Sequence, residues 1–160
     1  MTEAWIVQLA TAFTGSIGFA MLFNVPPARL AAAGFGGFIG WAVYLLLGIW
    51  YPGDVLRFFA ASVSFTLYGE CMARLKKTPS TVFIVPAAIP LVPGASLYRS
   101  MRFTVDGAWL DFANQIIYTL FLASAIAGGI VCGMTLVHVA EKLLRLRRKS
   151  SGKTKPQARR

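Results

Sequence analysis

The sequence predicts an all-α integral membrane protein of five transmembrane helices, the fourth broken by proline and glycine, with its N-terminus outside and its C-terminus in the cytoplasm. Three observations carry this reading. Of 160 residues, 56% are hydrophobic and only 14% charged, with a mean hydropathy of +0.61, far from the balance of a soluble globule. The apolar residues gather in runs close to the about 20 that a helix needs to cross a hydrocarbon core. The basic residues are lopsided: nine of the sixteen Lys and Arg lie from Lys142 onward, after the last apolar run.

The first span is expected at 4–23. The chain opens "MTEAW", with Glu3 and no basic n-region, so no cleaved signal peptide is expected. The second is expected at 30–50, after Arg29 and before the breaker "YPGD"; the third, at 58–73, contains Glu70. The fourth, 81–98, holds Pro86, Pro90, Pro93 and Gly94, and the fifth lies within the uncharged run 112–140. Positively charged loops stay in the cytoplasm, which places the C-terminal tail and "ARLKKT" (Arg74, Lys76, Lys77) inside and the N-terminus outside. Arg57, Arg99 and Arg102 then face outside, partly offset by Asp54, Asp106 and Asp111. Reading 81–98 as a re-entrant loop leaves four spans and moves "ARLKKT" outward.

Residues 1–144 thus form one membrane domain. Residues 145–160 are too polar and basic to pack and are expected to be a disordered cytoplasmic tail, touching anionic lipid with about 1 kcal/mol per basic residue. Such a tail accounts for the net charge of +10 without a nucleic-acid partner. Cys71 and Cys132 fall in or beside apolar segments and are expected as packing residues with no disulfide between them.

Small residues recur at four-residue spacing: Ala32, Gly36 and Gly40 in the second span, Ala125, Gly129 and Gly133 in the fifth. Such stripes let helices approach closely in lipid, within one chain or between subunits. Pro86, Pro90 and Pro93 would share one helix face. Each lacks an N–H, which deprives the carbonyls of Val82, Pro86 and Ile89 of their usual partners. Irregular backbone at membrane depth is tolerated where it is buried in protein or lines a wet cavity, and secondary transporters place substrates at such breaks. With the middle of the span near Ile89 and Pro90, the break is expected there. A helix restarting after "PG" would offer the N–H groups of Ala95 and Ser96 to a carboxylate.

Glu70 is an expensive residue for a span and therefore a functional candidate. Arg74 stands four residues on, the favourable order for an ion pair, so a structural pair and a proton-coupling role are both open. Gln8, Asn24, Tyr68, Asn114 and Gln115 could line a polar path, and His138 reads as an interfacial residue. No nucleophile triad, metal-ligand cluster or phosphate loop can be assembled, which points away from an enzyme and calls for no cofactor or metal.

Three stretches, "GFAMLFNVP" (18–26), "ECMARLKKTPSTVF" (70–83) and "IPLVPGASLYRSM" (89–101), resemble the threonine/serine exporter family. The likeness is to its short, separately encoded half, whose relatives include the small subunit of a two-component bacterial succinate exporter, and it runs to about Leu144. The resemblance implies a subunit of an exporter in the bacterial cytoplasmic (inner) membrane. It also implies small carboxylate substrates, threonine and serine or succinate-like dicarboxylates, and a larger partner with five spans and a soluble domain. It puts weight on Asn24, Pro26, Pro90, Pro93, Gly94 and Tyr98. The physical reading adds Ala95, Ser96, Arg99 as a carboxylate attractor and Glu70 as a proton carrier. A non-transporting scaffold and a small oligomeric channel are the competing classes.

Overall fold

The computed structural model of the chain describes residues 2–152, with side chains from 3 to 144. All regular structure among the described residues is helical: α1 (Thr2–Leu22), α2 (Pro27–Trp50), α3 (Asp54–Lys76), α4 (Thr81–Ala88), a 3₁₀ turn (Ile89–Leu91), α5 (Gly94–Val105) and α6 (Trp109–Gly152). Of the tail expected to be disordered at 145–160, residues 153–160 and the side chains of 145–152 lie outside the described residues.

The helix ends follow from local chemistry. Asn24 adopts the left-handed conformation at φ 57°, and the N–H groups of Asn24 and Val25 return to the carbonyls of Met21 and Ala20. This reverse turn satisfies the last carbonyls of α1. Lys77 (φ 49°) closes α3 and Gly107 (φ 73°) closes α5 with the same bond pattern. α2 begins with Pro27 at its first position, where a missing N–H costs nothing. It stops before Pro52.

Three helices, α1, α2 and α6, are long and apolar enough to cross a membrane, and α4 with its 3₁₀ turn plus α5 make a fourth candidate bent by 47°. α3 has 23 residues, long enough at about 1.5 Å per residue. It is less apolar because Asp54, Arg57, Glu70, Arg74 and Lys76 fall near its two ends. It packs on α2, α4 and α6. One core cluster joins Phe58, Ala61 and Phe65 of α3 to Ile84, Ala87, Leu91, Leu122 and Ala125. A second joins Ala20, Val25, Ala33, Ala73 and Phe83. α5 lies on α6, with Ser96 and Ser100 buried against it. Cys71 is exposed rather than packed, Cys132 is half-buried, and both are unpaired.

The small residues close helix pairs inside the chain. A Cβ on Gly36 would come within 2.8 Å of Ala87 Cβ, and one on Gly40 within 3.1 Å of the Phe65 ring. Ala32 offers its carbonyl to the Tyr68 hydroxyl at 2.9 Å, and Ala125 is buried in the first core cluster. A Cβ on Gly129 would strike Ser62 Oγ and lie 2.7 Å from the Phe59 carbonyl oxygen, while one on Gly133 would lie 2.9 Å from Thr66 Cβ. Backbone cannot yield as a side chain does. Gly129→Ala is therefore expected to force α3 and α6 apart at a cost of about 1–3 kcal/mol, read as a lower thermal melting midpoint in detergent. Gly18→Ala, where an added Cβ meets nothing within 4 Å, should leave the midpoint unchanged.

Candidate functional site

The sharpest departure from regular helix lies in 81–105. The break falls at Val92 and Pro93, three residues beyond the expected Ile89–Pro90 position, because the chain passes Pro90 in a 3₁₀ turn that needs no N–H there. The same turn corrects the expectation of orphaned carbonyls at two positions. Ile89 N–H donates to the Pro86 carbonyl, and Val92 N–H donates to the Ile89 carbonyl at 3.1 Å. Pro93 sits at φ −77°, ψ 53°, and Gly94 N–H closes a tight turn to the Val92 carbonyl at 2.7 Å. Gly94 needs neither positive φ nor close quarters, since an added Cβ meets nothing within 4 Å. The proline makes the break, and the glycine leaves the end of α5 bare.

α5 starts where the sequence predicts a restart. Its first regular bond runs from Leu97 N–H to the Pro93 carbonyl at 3.1 Å, so the N–H groups of Ala95 and Ser96 are the unpaired donors of a helix N-terminus. The Ser96 side chain turns away from that end. Its hydroxyl lies 2.6 Å from Thr119 Oγ1 and accepts from Gln115 Nε2 at 2.7 Å, and Thr119 Oγ1 donates to the Gln115 carbonyl. This closed network fastens α5 to α6. Tyr98 and Arg99 stand on the exposed face of α5, so Arg99 is a mid-helix residue rather than one beyond the helix end.

On the other side of the break, Ile89 and Pro90 line a cavity of about 240 Å³ with Gln8, Thr11 and Gly15 of α1 and Trp41 of α2. Trp41 Nε1 donates to Gln8 Oε1 at 3.3 Å. Gln8 is thus brought to the break, whereas Tyr68 spends its hydroxyl on α2 and Asn114 is exposed. Asn24 is the helix-closing residue of α1, beside the second core cluster through Val25, and makes no side-chain hydrogen bond to the residues of the break. Pro26 precedes α2 as its capping residue.

Two charged clusters mark the ends of α3. At its C-terminal end Glu70, 7% exposed, has Arg74 Nη2 at 3.6 Å, and Arg74 also pairs with Glu141 of α6. At its N-terminal end Asp54 accepts from Tyr118 Oη at 2.6 Å, Tyr44 Oη at 3.2 Å and Arg57 Nη1 at 2.9 Å. The Arg57 guanidinium sits 4.0 Å from the Tyr44 ring centroid. His138 Nδ1 donates to the Met134 carbonyl on the exposed side of α6. Sequence reasoning missed Trp41, Thr119, Glu141 and the hub role of Asp54. The available signal was scarcity: with six acids in 160 residues, each acid at the end of an apolar helix needs a cation or hydroxyl nearby.

Three separate groups therefore emerge: the break with its cavity, the Ser96 network, and the ionic clusters at either end of α3. None of them assembles a nucleophile with a base. No solved structure matches the chain. A sequence-family model described as Threonine/Serine exporter, ThrE matches residues 8–137, a range that holds the cavity, the break and the Ser96 network. That family is one of membrane exporters rather than enzymes. With apolar helices of membrane-crossing length and a match over most of its residues, the chain belongs to the threonine/serine exporter family.

Proposed function

We propose that the chain is one half of a two-component secondary exporter of small carboxylate metabolites, threonine and serine or succinate-like dicarboxylates, in a bacterial inner membrane. The other half is a larger sibling with five spans and a soluble domain. The observation that carries this reading is the 47° bend between α4 with its 3₁₀ turn and α5, beside a cavity lined by Gln8 of α1, Trp41 of α2 and Pro90 of the 3₁₀ turn. A cavity beside a broken helix is the kind of feature transporters place between related halves.

In this reading α3 is the fifth crossing, with Asp54–Arg57 and Glu70–Arg74 paired near its two ends and residues 58–69 uncharged between them. The N-terminus is outside and the C-terminus cytoplasmic, following the basic residues. Pro90 and Pro93 hold the break, Gly94 leaves it accessible, and Ala95 and Ser96 direct N–H groups at a carboxylate. Tyr98 and Arg99 meet the substrate at the outer mouth, Asn24 fixes the turn that aims α2, and Glu70 carries the coupling proton. The test is counterflow in proteoliposomes holding both chains, comparing labelled threonine, serine and succinate. Saturable exchange that needs both chains is expected. Exchange by this chain alone would remove the obligate partner, unsaturable conductance would make it a channel, and no flux at all would leave a scaffold.

A further inference from the structure

The two sides of the break are seated differently. α4 packs on α1, α2 and α3, and the 3₁₀ turn on α1 and α2, whereas the extended contact of α5 is with α6. The seat of α5 is also polar. Its buried side chains are Ser96 and Ser100, while Leu97, Met101 and Val105 are exposed. In lipid, apolar surface gives helices little reason to associate, so close packing and interhelical hydrogen bonds decide where a helix rests. Ser100 spends its hydroxyl within α5, on the Ser96 carbonyl at 3.0 Å. Among the described residues, the two side-chain hydrogen bonds between α5 and α6 both end on Ser96 Oγ, one shared with Thr119 and one from Gln115.

Proton counting gives these bonds a direction. A threonine hydroxyl carries one proton, and Thr119 commits it to the Gln115 carbonyl at 2.8 Å. In the 2.6 Å contact Ser96 is therefore the donor, and its own oxygen accepts from Gln115 Nε2. The bonds close a ring, from the Gln115 amide to Ser96, to Thr119 and back to the Gln115 carbonyl, which leaves Ser96 no hydroxyl proton for a ligand. Both hydroxyl residues are buried, where a lost partner is costly. The anchor sits in the first turn of α5, beside the free N–H groups of Ala95 and Ser96. Pro93 makes the break but does not set its angle, because the ring locks φ and leaves ψ to turn. We infer that Gln115 and Thr119 are positioning residues of the transport site, acting through Ser96 to aim those N–H groups at the substrate. The inference rests on the exporter reading and adds to it the side chains that orient one pair of its donors.

The experiment uses the exporter reconstituted from both chains. Counterflow of labelled threonine, or of succinate where threonine is not exchanged, gives KM and the maximal rate per folded exporter. Spin labels at Thr81 and Val105, on a Cys71→Ser, Cys132→Ala background, give the distance distribution across the break. Thr119→Val, which keeps the shape and loses the hydroxyl, and Gln115→Leu are each expected to raise KM at least about fivefold with the maximal rate within about twofold, because only the fraction of chains with α5 aimed binds substrate. The same variants should widen the label distribution with or without substrate. Thr119→Ser, which keeps a hydroxyl, should return both readouts to the parent's values. A merely structural network would lower the maximal rate through fewer folded chains at unchanged KM; that result, or a distribution no wider than the parent's, overturns the assignment. Gln115→Leu, at a half-buried position, decides alone should Thr119→Val not fold. A parent that exchanges neither compound sinks the exporter reading, whereas exchange with KM unmoved in both variants sinks only this inference.

Discussion

Replacing Pro90 and Pro93 together with alanine is expected to lower exchange through the reconstituted exporter about tenfold or more, equivalent to about 1.4 kcal/mol or more of barrier. The double change restores two N–H groups and removes two ring clashes, so residues 81–105 gain the bonds to run as one helix. At about 1.5 Å per residue, such a helix is about 37 Å long and straight, and its formation erases the 47° bend. It also redraws the cavity wall at Ile89 and Pro90 and ties the free N–H groups of Ala95 and Ser96 into the helix. Spin labels at Thr81 and Val105 report the straightening as a longer distance, and counterflow reports the activity. Gly18→Ala is the control, since an added Cβ there meets nothing and exchange should stay within about twofold. Undiminished exchange in a double variant shown to be straight would remove the break from the transport path.

Asp54→Ala should be the most destabilising single change outside the glycine contacts, at about 2–4 kcal/mol. One carboxylate accepts from Tyr44 of α2, Arg57 of α3 and Tyr118 of α6, and so joins three helices at one end of the bundle. Its removal strands a guanidinium whose side chain is only 16% exposed and which is held close by Gly48, where a Cβ would lie 2.5 Å from Nη2. Uncompensated charge, more than lost hydrogen bonds, sets the magnitude. Asp54→Ala with Arg57→Met should therefore melt higher than Asp54→Ala alone, a coupling of about 1 kcal/mol or more in a double-mutant cycle. A single variant that melts with the parent would show that water replaces the carboxylate for all three partners.

Much of the architecture was legible because it rests on local chemistry. Apolar runs set where α1, α2 and α6 lie, and Pro52, Pro79 and Asn24 stand where helices stop. A restart after "PLVPG" follows from what proline and glycine do to a backbone. Lys77 as the left-handed residue closing α3 was not legible, because lysine has no preference for that conformation; Pro79 two residues on was the only hint. The length of α3 was underestimated for a related reason. Its ends are charged, and a search for apolar runs trims exactly the residues that neighbouring helices later neutralise.

The position of the break shows where local reasoning ends. Proline spacing predicts a disrupted helix over 86–93, but whether the disruption is a gap or a 3₁₀ turn depends on what Leu91 can bury. Leu91 is fully buried beside Phe65 and Ala87, which favours the compact turn through Pro90 and pushes the opening to Pro93. The sequence by itself determined the class, the helices, the family and the segment that breaks. Only the tertiary structure decided which polar groups meet: Pro90 with Gln8 and Trp41, Ser96 with Gln115 and Thr119, Glu70 and Arg74 with Glu141, Asp54 with Tyr118. The physical reason is that a helix's place and ends are set by neighbours within a few residues, whereas pairings across 19 to 82 positions depend on how closely glycine and serine faces let the helices approach.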